Sequence, residues 1–258
     1  MIEAAATNGH STIAWWTQVA PRVRAAPRCA LFLDFDGTLA ELTNEPDAAQ
    51  LSPATRQALR TLARSPRARL FFISGRRRGD LWKRVRLPGC QYFGLFGFED
   101  ASRVGTAASA AMQDLRARAE ALITGLTHVW IEDKGLAFVL HHRDATPAVR
   151  ALARRRVRAA LRSNPMVRLF ESAHGLEVVP RDVPGKGATV RQVLRRPALR
   201  RAMPIYLGDD LSDEGAFRAA RHGVTIRVGK SRPTAARYRL AGTNDVLELL
   251  GLLAQALR

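Results

Sequence analysis

The chain has 258 residues, of which 47% are hydrophobic, enough for one large α/β domain or for a domain that carries a smaller one. Its 41 Lys and Arg residues against 23 Asp and Glu residues give a formal net charge of +18, and the apolar content argues against global disorder. No apolar run approaches the ~20 residues of a membrane-spanning helix. We therefore expect no membrane partner. The N-terminus lacks the basic start and long apolar segment of a signal peptide, so we do not expect one there.

The positive charge is mostly arginine and has two interpretations. Arginine clusters are typical of proteins that bind polyanions such as nucleic acids. In residues 149–162, however, the apolar side chains keep helical spacing, which places the arginines largely on the opposite, solvated face. We favour the solvated face and do not expect a nucleic-acid partner. A positive field would attract an anionic substrate in either case.

The two cysteines, Cys29 and Cys90, lack the spacing of metal-binding or redox pairs. Cys29 lies directly before an apolar run and is interpreted as a small core residue. This pattern favours a reduced, cytoplasmic protein.

Short apolar runs bounded by Gly, Pro or Asp alternate with segments of helical periodicity. The predicted strands are 29–34, 69–74, 91–96, 128–131, 136–142, 167–170, 175–179, 203–208 and 224–228. The predicted helices include 53–65, 111–124, 147–162, 187–196 and 212–221. The alternation predicts an α/β fold with a Rossmann-like parallel sheet. Residues 1–11 are expected to be loosely ordered.

The middle of the chain, residues 102–183, departs from this alternation. Its apolar runs predict a small antiparallel sheet with helices on one face. We therefore expect residues 102–183 to form a smaller α/β domain, inserted into the parallel-sheet domain that residues 1–101 and 184–258 form.

The run LFLDFDGTLA at 31–40 ends a predicted buried strand in two carboxylates. Residues i and i+2 of a strand point to the same side, so Asp34 and Asp36 leave the strand end together. At roughly 4 Å their repulsion is ~1 kcal/mol in water and ~4 kcal/mol at a protein surface, so a metal ion, a shared proton or a lysine is expected nearby. One aspartate can form an aspartyl-phosphate while its neighbour moves protons. Gly37 permits a sharp turn, and Thr38 offers a hydroxyl and an N–H to an anion.

Two further segments carry groups suited to phosphate. FFISGR at 71–76 ends a strand in Ser74 and Gly75, where an open backbone can approach a phosphate oxygen. PGKG at 184–187 places Lys186 between glycines, where it can pair with carboxylates or with a phosphate. Each segment alone is also compatible with an ordinary loop.

YLGDDLSDEGAF at 206–217 ends another apolar strand in four acids within six residues: Asp209, Asp210, Asp213 and Glu214. Mg²⁺ takes oxygen ligands and uses one or two carboxylates together with substrate phosphate. Some of these acids also suit the first turn of a helix. Because ligands of open parallel sheets bind at the carboxyl ends of the strands, the segments at 34, 74 and 209 together predict one active site.

These motifs resemble those of the haloacid dehalogenase (HAD) superfamily of phosphatases: DxDGT at 34–38, Ser74, Lys186 and GDDxxDE at 208–214. Within the superfamily the chain is similar to the trehalose-6-phosphate phosphatases, through SGR at 74–76, GxE at 97–99, EDKGLAFVLHHR at 132–143 and GLEVVP at 175–180. The resemblance covers nearly the whole chain. It implies that residues 1–101 and 184–258 form a HAD catalytic core and that residues 102–183 are a cap that determines substrate specificity. It also implies a Mg²⁺-dependent hydrolysis of trehalose 6-phosphate to trehalose and phosphate through an aspartyl-phosphate.

The resemblance also implies roles for individual residues. Asp34 would be the nucleophile, and Asp36 would protonate the leaving sugar oxygen and then activate water. Asp34, the backbone carbonyl of Asp36, and Asp209 would hold Mg²⁺. Asp213 would orient Lys186 or act next to the metal ligands.

The same resemblance assigns the substrate contacts. Ser74 and Lys186 would bind the phosphate, together with Gly37, Thr38, Gly75 and Arg76. In the cap, sugar hydroxyls need both donors and acceptors. The matching residues are Glu132, Lys134, Arg143 and Glu177.

The chain departs from the family pattern at FGLFGFED, residues 93–100, where Phe96 stands in place of a polar group, and at His141–His142, which replace a His-aromatic pair. One alternative function is a related capped HAD phosphatase that acts on another sugar phosphate or on a glycosyl-phosphoglycerate. The alternative from another class is a polyanion- or nucleic-acid-binding protein on a HAD fold. The sequence does not indicate an oligomeric state.

Overall fold

The computed structural model describes residues 12–43, 46–100, 109–171, 175–230 and 232–258. The segment 1–11, predicted to be loose, lies outside the described residues. The described helices are α1 (Thr12–Ala25), α2 (Pro53–Arg64), α3 (Arg78–Val85), α4 (Ser109–Ile123), α5 (Pro147–Leu161), α6 (Lys186–Leu194), α7 (Glu214–Ala219) and α8 (Thr243–Ala256). The described strands are β1 (Cys29–Leu33), β2 (Ala68–Ile73), β3 (Gln91–Phe93), β4 (Trp130–Asp133), β5 (Phe138–His141), β6 (Val167–Glu171), β7 (Gly175–Pro180), β8 (Met203–Gly208), β9 (Val224–Val228) and β10 (Tyr238–Leu240).

The larger sheet has six parallel strands in the order β10-β9-β8-β1-β2-β3. Strand β1 lies between β8 and β2, with Leu33 opposite both Leu207 and Phe72. All five residues of β1 are buried, as expected of a parallel strand that is covered on both faces. Because the three strands are parallel and in register, their carboxyl ends meet at one edge of the sheet.

Helices cover both faces of this sheet. Leu31 and Leu33 point into a core with buried residues of α1, α2 and α8, whereas Phe32 points to the other face, into a core with α6 and α7. Phe32 stacks on Phe71 with ring centroids 4.9 Å apart. Cys29 is a buried free cysteine of the first core, which confirms its interpretation as a core residue.

The second sheet has four antiparallel strands in the order β4-β5-β7-β6. Helices α4 and α5 pack on one of its faces around Leu140, Val157 and Val178. A smaller apolar cluster that includes Phe96 and Val183 joins the loop after β3 to this sheet and to the segment after β7. The α/β fold with a parallel sheet and a separate antiparallel sheet is therefore confirmed. The boundaries of the insertion at 102–183 stay a prediction, although α4, α5 and all four antiparallel strands lie inside them.

The structure differs from the predicted elements at a few places. Strand β3 ends at Phe93 rather than at 96, because Leu95 and Phe96 adopt φ of +46° and +59° in a 3-10 turn. The helix predicted at 212–221 starts with a 3-10 turn and becomes α-helical at Glu214. The short strand β10 and helices α1, α3 and α8 were not among the predicted elements. No described helix has the length and apolar character needed to cross a membrane.

Candidate active site

Asp34 follows β1 at the carboxyl edge of the parallel sheet and is 4% exposed. Its backbone N–H donates to the carbonyl of Leu207 at 3.0 Å, which continues the pairing between β1 and β8. Asp209 follows directly after β8, so the register of the two strands places these carboxylates at neighbouring positions. The sequence prediction that the two motifs meet at one sheet edge agrees with this geometry.

Lys186 joins the two acidic motifs from the first residue of α6. Its Nζ lies 2.9 Å from Asp34 Oδ1 and 2.8 Å from Asp213 Oδ1, and the residue is 3% exposed. Burial by itself would lower the pKa of this amine, but the nearby carboxylates of Asp213 and Asp34 outweigh burial and raise the pKa. The lysine therefore stays charged and neutralises part of the buried acidic cluster.

Asp213 is fully buried and uses both carboxylate oxygens on protein donors. Oδ1 accepts from Lys186 and from the Tyr206 hydroxyl at 2.6 Å, and Oδ2 accepts from the Asp210 N–H at 2.9 Å. A Cβ at Gly208 would lie 2.3 Å from Asp213 Cγ, so glycine is required there. These contacts suit a residue that orients Lys186, as the resemblance implies.

Three carboxylates approach one another closely enough to share a cation. Asp34, Asp209 and Asp213 each place an oxygen within 4.8 Å of the others. Burial, partly opposed by Lys186, raises the pKa of Asp34 to about 7, and burial with the neighbouring charge of Asp34 raises the pKa of Asp209. A divalent cation would allow these acids to stay ionised together, and oxygen-only donors suit Mg²⁺.

Asp209 is better placed than Asp213 to provide a metal ligand. A Cβ built on Gly37, whose φ is +73°, would lie 2.1 Å from Asp209 Oδ2, so the carboxylate rests against the peptide that follows Asp36. The oxygens of Asp213 are already engaged by Lys186, Tyr206 and the Asp210 N–H. The donor set therefore fits Mg²⁺ between Asp34 and Asp209, with the Asp36 carbonyl as the adjacent predicted ligand.

Arg76 binds Asp36 through both carboxylate oxygens. Arg76 Nε lies 2.8 Å from Oδ2 and Nη2 lies 2.6 Å from Oδ1, while Nη1 contacts Asp80 at 3.0 Å. The guanidinium lies 5.5 Å from the centre of the Phe35 ring. The predicted contact of Arg76 with substrate stays a prediction, since in this structure its donors are directed at the two carboxylates.

The remaining predicted phosphate contacts differ in accessibility. Ser74 and Gly75 line the same cavity as Asp34, and the Ser74 hydroxyl accepts from the Arg76 N–H at 3.1 Å. Thr38 is fully buried, and its hydroxyl has no hydrogen-bond partner among the described residues. Neither Thr38 nor Gly37 lines the cavity. Gly37 lies against the carboxylate of Asp209.

Three predicted cap residues cover the catalytic cavity, which has a volume of about 40 Å³. They are Glu132 on β4, Lys134 after it, and Glu177 on β7. Lys134 Nζ lies 3.7 Å from Glu177 Oε1 and 3.9 Å from Glu132 Oε2. His141 donates to or accepts from Glu132 at 2.8 Å and stacks on Trp130 at 4.0 Å. The antiparallel sheet therefore brings both donors and acceptors over the acidic cluster.

The fourth predicted cap residue, Arg143, lies apart from this cavity. It is exposed in the turn after β5 and lines a separate cavity of about 20 Å³ with Thr43, Trp130 and Asp144. The structure thus brings Glu132, Lys134 and Glu177 together and leaves Arg143 on the neighbouring surface.

Two residues near the site, Arg227 and Tyr206, were missed in the sequence. Arg227 on β9 is 1% exposed and donates to the Asp209 carbonyl, so it fixes the loop that carries that acid. The sequence feature that could have identified Arg227 is a charged residue within a strand of otherwise mostly apolar residues. Phe96, where the chain departs from the family pattern, lines the cavity, and a Cβ on Gly75 would lie 2.8 Å from its ring. Tyr206, the hydrogen-bond donor to Asp213, gave no sequence signal beyond its strand.

Comparison with known proteins agrees with this geometry. The family model described as trehalose-phosphatase matches residues 32–244. The trehalose-phosphate phosphatase of Mycobacterium ulcerans is 36% identical over 247 residues, covering 90% of this chain and 63% of the relative. That of Mycobacterium tuberculosis is 38% identical over 251 residues, covering 89% of this chain and 62% of the relative. The chain therefore spans a little under two thirds of the length of these relatives.

Solved structures show the same fold. The C-terminal domain of the C. albicans trehalose-6-phosphate phosphatase superimposes with a TM-score of 0.83 at 24% identity, covering 96% of this chain and 99% of that one. The Aspergillus fumigatus trehalose-6-phosphate phosphatase gives a TM-score of 0.64 at 25% identity, covering 93% of this chain and 97% of that one.

Proposed function

The chain belongs to the trehalose-phosphatase family, and on that basis we propose that it hydrolyses trehalose 6-phosphate to trehalose and phosphate. The observation that carries the proposal is the buried contact of Asp34 with Lys186 at 2.9 Å, at the sheet edge where Asp209 also lies. Phosphate monoester hydrolysis is among the slowest uncatalysed reactions, and its catalysis depends on positioning and on neutralising charge. This cluster supplies both.

Asp34 is proposed as the nucleophile. A carboxylate oxygen of Asp34 attacks phosphorus and forms an aspartyl-phosphate as the bond from phosphorus to the sugar oxygen breaks. Asp36 gives its proton to that leaving oxygen, then accepts a proton from the water that attacks the aspartyl-phosphate. The second step releases phosphate and restores both aspartates. Asp36 needs to turn from Arg76 to do this, since Arg76 binds both of its oxygens.

The remaining groups hold the phosphate in place. Lys186 and the Ser74 hydroxyl line the cavity beside Asp34 and would contact phosphate oxygens. Mg²⁺, bound by Asp34, Asp209 and the Asp36 carbonyl, would supply a Lewis acid that neutralises the phosphate charge. Asp213 keeps Lys186 charged and correctly aimed through its 2.8 Å contact.

The cap residues would select the sugar. Glu132, Lys134 and Glu177 offer acceptors and donors for hydroxyl groups directly above the phosphate site. The cavity of about 40 Å³ would hold the phosphate, and the sugar would extend past Glu132 and Lys134 into a neighbouring groove of about 480 Å³ that these two residues also line. The cytoplasmic location suggested by the cysteine pattern stays a prediction.

A panel of phosphorylated sugars tests the proposal by phosphate release, with Mg²⁺ and with a chelator. We expect kcat/KM for trehalose 6-phosphate to exceed that for glucose 6-phosphate, sucrose 6-phosphate and glucosyl-phosphoglycerate at least tenfold, and the chelator to remove activity. Equal rates on all four compounds would contradict the substrate assignment.

The Asp34→Asn variant tests the nucleophile separately. Its turnover should disappear while its circular dichroism spectrum stays that of the parent. Retained activity would exclude Asp34 as the nucleophile, whichever sugar phosphate proves to be the substrate.

A further inference from the structure

A second, arginine-lined groove lies away from the catalytic cavity, between the C-terminal half of α5 and the edge strand β6. Its volume is about 590 Å³, and it shares no lining residue with the cavity around Asp34. Five of its eight lining residues are arginines: Arg155, Arg158, Arg162, Arg168 and Arg181. The proposed phosphatase reaction uses none of them.

The helical spacing concentrates three of these arginines. Arg155, Arg158 and Arg162 occupy positions i, i+3 and i+7 of one helix face. The buried side chains Val157 and Leu161 fix α5 on the sheet, so that this face opens toward β6. Arg181, just after β7, lies on the opposite wall. Arg168 borders the groove from β6, but its side chain leaves the strand on the face away from α5, since Val167 and Leu169 face that helix.

The groove is poorly neutralised by the protein itself. Arg158 contacts Glu171 at 2.5 Å, and no other carboxylate of the described residues forms an ion pair with the five arginines. Arg168 and Arg181 donate to the backbone carbonyls of Val183 and Pro165, which fixes the side chains without removing their charge. Closely spaced like charges repel, and guanidinium groups bind phosphate through paired hydrogen bonds.

The other lining residues restrict the kind of anion. Ala159, Val167 and Leu169 are apolar and non-aromatic, so the groove has no ring on which a nucleic-acid base could stack. A ligand made of adjacent phosphates needs no such ring and matches a row of arginines.

From these observations we propose that the groove between α5 and β6 binds an oligophosphate chain, of the inorganic polyphosphate type. This site would be separate from the active site and would not depend on the phosphatase function. The solvated arginine face predicted from the sequence would then be, in part, a binding surface.

Isothermal titration with inorganic tripolyphosphate, without Mg²⁺, tests the site directly. Arg155 and Arg162 are exposed, and the double variant Arg155→Gln with Arg162→Gln removes two charges without breaking an ion pair of the described residues. The double variant Arg200→Gln with Arg201→Gln removes the same charge from exposed positions outside the groove. We expect the dissociation constant to rise at least tenfold in the groove variant and less than twofold in the control.

Equal weakening in both variants would mean non-specific attraction to the net charge, and unchanged binding in the groove variant would place the ligand elsewhere. Either result overturns the proposal.

Hydrogen exchange provides a second test that needs no variant. Tripolyphosphate should protect peptides that cover residues 155–169 from exchange, and protection confined to other peptides would contradict the site. A single-stranded oligonucleotide that bound more tightly than tripolyphosphate, through the same arginines, would show that the occupant is nucleic acid instead.

Discussion

Arg76 holds Asp36 through two parallel hydrogen bonds of 2.8 and 2.6 Å, one to each carboxylate oxygen. Asp36 is the residue proposed to protonate the leaving sugar oxygen and then to accept a proton from the attacking water. While both oxygens accept from one guanidinium, Asp36 cannot donate a proton, so the proposed role requires at least one of these bonds to open. Arg76 is in turn held by Asp80 at 3.0 Å, which makes it a fixed support for the resting position of Asp36.

Replacing Arg76 by Gln should therefore affect proton transfer more than phosphate binding. General acid–base catalysis contributes typically 10²–10⁴-fold, and we expect kcat for trehalose 6-phosphate to fall about tenfold or more. The two substrates are compared by kcat/KM, because kcat also contains the attack of water on the aspartyl-phosphate, which both share. The kcat/KM for 4-nitrophenyl phosphate should fall less than that for trehalose 6-phosphate, because nitrophenolate leaves without a proton. Lys83→Gln, which removes one exposed charge from helix α3, just after Arg76 in the chain, is the control. Equal losses of kcat/KM on both substrates in Arg76→Gln would contradict this positioning role.

The convergence of Asp34, Ser74 and Asp209 could be predicted from the sequence because each follows an apolar run, and parallel strands bring their carboxyl ends to one edge. The contact of Arg76 with Asp36 could not be predicted in this way, since the two residues are 40 positions apart and meet only through the turn after Ser74. The displacement of Arg143 from the cavity likewise depends on the turn after β5, which hydrophobic periodicity does not describe.

The strand β10 and the end of β3 were also not predicted correctly, and in both cases the reason lies in the few residues concerned. Strand β10 has three residues, too few for an alternating pattern to stand out, and it exists through pairing with β9. The left-handed backbone of Leu95 and Phe96 is rare for bulky residues, so the apolar run gave no warning that β3 stops at Phe93.

Mg²⁺ should stabilise the folded protein through Asp209. A ligand that binds only the folded state adds about 2.7 kcal/mol to the free energy of unfolding at a concentration of 100 times its Kd. We expect Mg²⁺ to raise the Tm of the parent and to have little effect on the Tm of Asp209→Asn. Asp210→Asn is the matched control, because the Asp210 side chain faces Arg232 at 3.6 Å rather than Gly37.

The comparison uses the Mg²⁺-induced shift in Tm, which cancels any change in stability that each substitution causes by itself. If Asp210→Asn lost the shift and Asp209→Asn kept it, the ligand assignment would have to move to Asp210.

Glu132 should contribute to recognition of the sugar and little to chemistry at phosphorus. Its side chain lies over the cavity and is held by His141 at 2.8 Å. Hydrogen bonds to charged groups contribute about 1.5–3 kcal/mol, so Glu132→Gln should raise KM for trehalose 6-phosphate about tenfold or more. The KM for 4-nitrophenyl phosphate should stay within about twofold of the parent value on the same argument, since that substrate has no sugar hydroxyl to lose.

Asp133 provides the control for this measurement. It is the next residue on β4, half exposed, and pairs with Arg116 on the other side of the strand. Asp133→Asn should leave both KM values near those of the parent. A similar rise of KM on both substrates in Glu132→Gln would indicate a general disturbance of the cap instead of sugar recognition.

His142 should make the stability of the antiparallel sheet depend on pH. It is 8% exposed, and burial, followed by the charge of Arg154, lowers its pKa, with Arg150 adding to the effect and Glu171 opposing it. An unfolded chain has a histidine pKa of about 6.5, so the unfolded state binds more protons between that value and the lower pKa of the folded state. The free energy of unfolding should therefore fall as the pH drops from 6.5 through the pKa of His142 in the folded state.

The variant His142→Phe removes this titration. Urea unfolding at several pH values between about 7.5 and 5 should therefore show the variant gaining stability relative to the parent as the pH falls. The same series on His222→Gln, which removes an exposed histidine, gives the baseline. Parallel curves for the parent and His142→Phe would show that the folded state does not disfavour the charged ring.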